Sequence, residues 1–103
     1  MTDTKIENDE ARSKRRAAEL AALVAEHRAT ATKAHADHPT PRKKFTRMSG
    51  DERRRWNTKR ALIAASSKKY HLAVRAACAR HRAEDAAARA AVVTARADKE
   101  TAR

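Results

Sequence analysis

Residues 38–52 of the chain read HPTPRKKFTRMSGDE, and this stretch holds both prolines, Pro39 and Pro41, and the single glycine, Gly50. Proline lacks a backbone N–H and glycine loses the most conformational freedom in a helix, so both residue types interrupt helices. On either side the sequence is rich in Ala, Arg, Lys, Glu and Leu, which have high helix propensity. The pattern predicts an all-α chain, with helices over about 4–37 and 50–101 and a proline-containing basic loop over 38–49.

The second helix carries a clear start signal. Ser49 and Glu52 have the S-x-x-E spacing of a capping box, in which each side chain accepts a hydrogen bond from the other residue's backbone N–H. Asp51 and Glu52 also place two negative charges at the positive end of the helix dipole. Thr4 and Glu7 have the same spacing, which predicts a similar start for the first helix.

Each predicted helix gathers its apolar residues on one narrow face at 100° per residue. The face of the first helix comprises Ile6, Ala17, Leu20, Leu23, Val24, His27, Ala31 and Ala34. The face of the second helix comprises Trp56, Ile63, Tyr70, Val74, Ala77, Cys78, His81, Ala88 and Val92. Two such faces predict an antiparallel helical hairpin that forms one helical unit over residues 1–103. The alternative is a three-helix bundle, with the second helix broken near 66–67 or near 84–85.

The two helices differ in length, which bears on oligomeric state. At 1.5 Å per residue the second helix is about 75 Å long and the first about 50 Å. In a hairpin the first helix therefore covers the second only to around residue 82. The alanine-rich part from residue 83 is left without a partner in its own chain, so we expect it to pack against another copy in a homo-oligomer.

The composition argues against an enzyme. Of 42 apolar residues among 103, 26 are alanine, so only 16 larger side chains remain to form a core. Burying each of these stabilises the fold by roughly 1.5–3 kcal/mol, whereas ordering the backbone costs about 1–2 kcal/mol per residue. A small domain with so little apolar surface does not build a deep catalytic pocket. We therefore expect a protein that binds a partner and has no catalytic residues.

The positive charge is concentrated in one part of the chain. The net charge is +12, yet residues 1–40 carry seven basic and seven acidic side chains, and residues 83–103 carry four of each. Residues 41–82 carry fourteen basic and two acidic side chains, which accounts for the whole excess. Such a block is typical of a surface that binds nucleic acid. We predict contacts to DNA or RNA phosphates, with little sequence preference, from Arg42, Lys43, Lys44, Arg47, Arg53, Arg54, Arg55, Lys59, Arg60, Lys68, Lys69, Arg75, Arg80 and Arg82.

Some of these cations recur every seven residues. This heptad row consists of Arg47, Arg54, Ala61, Lys68, Arg75, Arg82, Arg89, Arg96 and Arg103, and alanine interrupts it once. On a helix its members are about 10.5 Å apart. The row predicts either a cationic face that follows a phosphate backbone or an ordinary solvated face of a coiled coil.

Two of the three aromatic residues lie among the cations. Phe45 and Trp56 are candidates for stacking on unpaired bases. Trp56 also belongs to the apolar face, which favours packing against the first helix near Thr32, and Phe45 then closes the loop end.

Histidine and cysteine have a spacing that suggests zinc, but at places far apart. His35 and His38 are at the loop end, and Cys78 and His81 lie some 40 Å along the second helix. We therefore expect neither a metal site nor a cofactor.

The sequence also predicts where in the cell the protein is found. A single cysteine forms no internal disulfide, and no apolar run approaches the ~20 residues that span a bilayer. The first ten residues are polar and net acidic, unlike a secretory signal. These features predict a cytoplasmic protein without a membrane segment.

An interaction protein is the alternative function. A long basic helix also suits docking on an acidic protein surface, as in a scaffold or virion component or a modulator encoded by a phage or mobile element.

Overall fold

A computed structural model describes residues 7–101, and within them the chain is entirely helical apart from its loops. Helix α1 spans Asp9–Asp37 and helix α2 spans Gly50–Thr101, with 29 and 52 residues respectively. A single 3₁₀ turn, Phe45–Arg47, lies in the connecting loop. The all-α prediction with a long second helix is confirmed. Because α2 continues without interruption through both predicted break points, the three-helix alternative is excluded.

Helix α1 starts later than the sequence predicts. The side chain of Asn8 accepts a hydrogen bond of 2.7 Å from the Ala11 backbone N–H, which makes Asn8 the N-cap and Asp9 the first helical residue. The expected start was at about residue 4. Of the capping box predicted there, Thr4 lies outside the described residues, whereas Glu7 precedes the helix and pairs with Arg15 at 3.0 Å.

The capping box that starts α2 is confirmed. The Glu52 backbone N–H donates to Ser49 Oγ at 3.2 Å, and the Ser49 backbone N–H donates to Glu52 Oε1 at 2.9 Å. Lys43 lies 2.9 Å from the same carboxylate and so links the loop to the helix start. The Ser49 backbone hydrogen bond, followed by Lys43, lowers the pKa of Glu52 to about 2.

The first testable prediction concerns this cap. Replacing Ser49 by alanine removes the acceptor for the Glu52 N–H, so we expect Ser49→Ala to lower the free energy of unfolding by about 1 kcal/mol. Urea titration followed by circular dichroism measures the loss. Thr58→Ala is the control because Thr58 is an exposed residue within α2, away from both ends of the helix. Equal stability of the two variants would contradict a stabilising role of the cap.

The contacts between the helices pair successive residues of α1 with progressively earlier residues of α2. Arg16 contacts Asp85 at 2.8 Å, and His27 Nδ1 lies 2.7 Å from Ser66 Oγ. The apolar part of this interface is thin. Only Ala34 and Ala77 are buried, at 4% and 0% exposure, and no larger side chain in the described residues is fully buried.

Most of the predicted apolar faces lie in this interface. From Leu20 to Ala34 on α1, and from Trp56 to His81 on α2, every predicted face residue is half-buried or buried. Ala17, Ala88 and Val92 are exposed instead. At the Ala17 end the half-buried positions belong to charged residues, which the apolar pattern does not indicate.

An ionic cluster at this end extends the contact of α1 with α2 beyond the predicted limit at residue 82. The guanidinium groups of Arg15 and Arg16 lie 2.6 Å and 2.9 Å from Glu84, and Arg16 also binds Asp85. Arg16, then Arg15, lowers the pKa of Glu84, and Arg16 lowers the pKa of Asp85. From residue 86 to residue 101 every residue is exposed, although Ala88 and Val92 still border an open groove together with Asp9 of α1. Helix α1 therefore reaches further along α2 than predicted.

The fold should be sensitive to acid. A carboxylate whose pKa is lowered by folding stabilises the folded state above its unfolded pKa of about 4, and this stabilisation is lost as the pH falls. Because Glu52, Glu84 and Asp85 all show this direction, we expect the thermal midpoint to fall between about pH 5 and pH 2. Circular dichroism melts across this range measure it.

A double variant separates this effect from the general repulsion of a positively charged chain in acid. Glu84→Gln/Asp85→Asn has a lower midpoint at pH 6 and a shallower decline below pH 5 than the parent chain. Parallel curves for the two proteins would contradict the assignment to the ionic cluster.

In residues 7–101 neither helix has an apolar stretch long enough to cross a bilayer.

Candidate nucleic-acid interface

The fourteen predicted contact residues lie on the loop and on the first three-fifths of α2. Thirteen of them are exposed and Lys59 is half-buried. Exposure alone does not make a cation available, because several of these side chains bind groups within the chain. The internal partners therefore separate structural cations from those that are free to bind a ligand.

Arg53 holds the loop in place. Its Nε donates to the Phe45 carbonyl at 3.1 Å and its terminal nitrogen donates to the Thr46 carbonyl at 3.0 Å, while the guanidinium lies 5.2 Å from the centre of the Phe45 ring. These contacts fasten the 3₁₀ turn to the first turn of α2. Arg54 pairs with Asp51 on the same helix. Both arginines were predicted to contact phosphate, and both already have partners.

Three further cations of α2 bind residues that precede α2 in the chain. Lys59 Nζ donates to Thr40 Oγ1 at 2.6 Å. Lys69 and Arg80 pair with α1 carboxylates, at 3.4 Å from Glu26 and 2.5 Å from Glu19 respectively. A hydrogen bond from His81, then one from Arg80, lowers the pKa of Glu19. The sequence prediction did not separate these structural roles from phosphate binding.

Apart from Lys43, which pairs with Glu52, the remaining predicted cations have no acceptor in residues 7–101. Arg60 lies over the Trp56 ring at 5.5 Å. Seven others have no ion pair or side-chain hydrogen bond with any residue in 7–101, namely Arg42, Lys44, Arg47, Arg55, Lys68, Arg75 and Arg82. Both acids of the block, Asp51 and Glu52, are already paired. The free positive charge of 41–82 is therefore uncompensated within the described chain.

The second half of the heptad row is exposed along α2. The residues from Lys68 to Arg96 in the row are all exposed on α2, and they span about 42 Å at 1.5 Å per residue. Arg47 lies on the 3₁₀ turn and not on α2, and Arg103 lies outside the described residues. A straight α-helix drifts by about 20° per heptad, so the row winds slowly around α2.

The aromatic residues among the cations line one open cavity at the loop end. Phe45 is 43% exposed and Trp56 is half-buried. Both border a cavity of about 500 Å³, together with His35. His35 lies on α1 about one turn after Thr32, where the sequence predicts the contact of Trp56. Trp56 and His35 of α1 therefore border the same cavity, and part of the Trp56 surface is accessible from the loop.

The histidines and the cysteine do not come together. His35 borders the loop-end cavity, whereas His81 Nε2 lies 2.9 Å from Glu19 Oε2 at the other end of the interface. Cys78 is a free, half-buried thiol. In residues 7–101 no three His, Cys, Asp or Glu side chains are close enough to hold a metal ion.

One polar contact between the helices was missed by the sequence prediction. His27 shares a hydrogen bond with Ser66, and its ring stacks on Tyr70 with centroids 5.5 Å apart. The signal was present, since Ser66 is three residues after Ile63 and four before Tyr70, which places it on the same helix face.

No protein-family model, curated protein or solved structure matches the chain.

Proposed function

We propose that this chain is a small helical nucleic-acid-binding protein that contacts phosphates through residues 42–82, without catalytic chemistry. One observation carries the proposal. Seven exposed cations of this segment have no ion pair or side-chain hydrogen bond with any residue in 7–101, while both of its acids are already paired. In 7–40 and in 83–101 the unpaired charges include both signs, among them Asp37 and Asp98.

The uncompensated cations suit a polyanion for a physical reason. Like charges on one rod repel each other, and a phosphate backbone relieves this repulsion while releasing its condensed counterions. Lysine and arginine contacts of this kind fix the position of a protein on the backbone without reading bases. Binding is therefore expected to depend strongly on salt and weakly on sequence.

We further propose that α1 and α2 form an antiparallel hairpin in solution. The ionic cluster at one end and the His27–Ser66 contact nearer the loop support this arrangement, because both join residues of α1 to residues of α2. In the hairpin α1 covers the apolar face of α2 and leaves the cations on the opposite and lateral faces.

Self-association through α2 completes the proposal. An outer seam of exposed apolar residues follows the alternating four-three spacing of coiled coils. It consists of Leu72, Ala76, Ala79, Ala83, Ala86, Ala90, Val93 and Ala97. Arg75, Arg82 and Arg89 flank it on one side, and Arg80, Ala87 and Thr94 lie on the other. In a parallel pair Arg82 and Arg89 lie beside uncharged residues of the second chain and Arg75 alone lies beside an arginine, whereas an antiparallel pair sets the arginine flanks against each other. We therefore favour a parallel homodimer.

An acidic protein partner is the second candidate, and a separate observation favours it. Leu62 and Leu72 are 45% and 55% exposed among the cations. A phosphate backbone leaves such side chains in water, whereas a protein surface buries them.

Purification without nuclease separates the two candidates. The proposed function predicts nucleic acid in the purified protein, seen as a raised 260/280 nm absorbance ratio that falls after nuclease treatment and a high-salt wash. A spectrum of pure protein, with an acidic protein in the same fraction, would support the second candidate and contradict the first.

A further inference from the structure

The cavity at the loop end combines aromatic surface with positive charge. It is open, has a volume of about 500 Å³, and is bordered by Phe45, Trp56, Lys43, Lys59 and Arg60. Sites for small molecules typically have volumes of about 300–1,000 Å³. The cavity therefore has room for one nucleotide.

Its walls provide a stacking surface. Trp56 is half-buried, so its ring is held by the surrounding packing, and Phe45 is anchored by the guanidinium of Arg53. Arg60 lies over the Trp56 ring and has no hydrogen-bond acceptor in residues 7–101. A stacked guanidinium keeps its planar N–H donors available at the ring edge.

The lysines supply donors for an anion at the same place. Lys43 binds Glu52 and Lys59 binds Thr40, each through one contact in the described chain. An ammonium group has three N–H donors, so both lysines retain donors for a further acceptor. Glu52 is engaged by the Ser49 N–H and by Lys43, which limits its repulsion of an entering phosphate.

We infer that the loop-end cavity binds one unpaired nucleotide, with the base against Trp56 and Phe45 and the phosphate near Lys43 and Lys59. This inference rests on the proposed function and specifies its substrate class. Bases in an intact duplex are stacked inside the helix, whereas single strands and strand ends present unpaired bases. The chain should therefore prefer nucleic acid that contains an unpaired base.

The single tryptophan provides a direct reporter for the test. The full chain is titrated with a single-stranded DNA oligomer, with an abasic oligomer of the same length, and with a blunt duplex. We expect the ordinary strand to quench Trp56 fluorescence and to bind about tenfold more tightly than the abasic strand. The abasic strand and the blunt duplex should bind with little quenching.

Variants localise the effect to the cavity. Trp56→Phe retains the preference for the ordinary over the abasic strand, and Trp56→Ala removes it. Because Trp56→Ala also changes packing, Phe45→Ala provides a second variant in a loop, with Trp56 still present as the reporter. We expect Phe45→Ala to reduce the preference several-fold. The matched control is Val92→Ala, an exposed apolar residue of α2 outside both the cavity and the outer seam, which should leave the preference unchanged.

The failures of this inference and of the proposed function are distinguishable. Equal, salt-dependent affinity for ordinary and abasic strands, without selective quenching, would overturn the nucleotide site and leave phosphate binding intact. An absence of binding to all three nucleic acids would overturn both.

Discussion

Replacing Lys68, Arg75 and Arg82 together by alanine is expected to weaken DNA binding about 100-fold at ~0.1 M salt. All three side chains belong to the heptad row, are exposed, and have no acceptor in residues 7–101. Each phosphate contact contributes about 0.9 to the slope of log K against log salt, so the loss of three contacts lowers the magnitude of that slope by about 2.7. Fluorescence anisotropy of a labelled duplex, measured over a series of salt concentrations, gives both quantities. Alanine also favours helix, so the fold should be retained.

A matched triple variant controls for net charge. Lys14→Ala/Arg28→Ala/Lys33→Ala removes the same number of exposed positive charges from α1. It should change affinity only through the general charge of the protein, by less than about tenfold. Equal losses in the two triple variants would mean that binding follows net charge alone, which would contradict a localised surface on α2.

Replacing Ala83 and Ala90 by glutamate is expected to abolish self-association. Both residues lie in the outer seam, where a parallel pair brings each of them against its copy in the second chain. Burying four carboxylates in such a seam is unfavourable, because the loss of hydration exceeds what the flanking arginines return. Sedimentation equilibrium should therefore show a concentration-dependent dimer for the parent chain and a monomer for Ala83→Glu/Ala90→Glu.

The control for this variant carries the same charge change on another face. Ala91→Glu/Ala95→Glu lies on α2 beside the seam, at exposed positions that a parallel pair leaves in water. It should remain a dimer. Loss of dimer in both double variants would indicate that added negative charge, and not the seam, is responsible. A parent chain that stays monomeric at all concentrations would contradict the proposed homodimer.

The features that the sequence predicted well are local. The capping box needs only Ser49 and Glu52, whose geometry is fixed once the helix forms. The continuity of α2 follows from the absence of proline and of any further glycine after Gly50. The contact face was predicted from Leu20 to Ala34 on α1 because the larger apolar residues there have a clear helical period.

The features that could not be predicted from the sequence depend on contacts between residues far apart in the chain. Arg16 and Asp85 are 69 positions apart, and their pairing requires the exact register of the two helices. An interface rich in alanine specifies that register weakly, since small side chains of nearly equal size fit in several alignments. The ionic cluster and the longer coverage of α2 could therefore not be derived from the apolar pattern.

The candidate interface was also predicted only in its local features. Counting charges located the basic block, because a local excess of cations is visible in any window of the sequence. It did not reveal that Arg53 and Lys59 bind the loop or that Arg80 joins the helices. The division into free and engaged cations depends on which acceptors the fold brings near each side chain.

The salt dependence of binding by the unmodified chain tests the central claim most directly. Anisotropy titrations with a duplex of about 20 base pairs, from about 50 mM to about 200 mM salt, give the slope of log K against log salt. Several simultaneous phosphate contacts predict a slope steeper than about −3 and similar affinities for unrelated sequences. No binding at the lowest salt, or an affinity that does not change with salt, would contradict phosphate binding by the cations of residues 42–82.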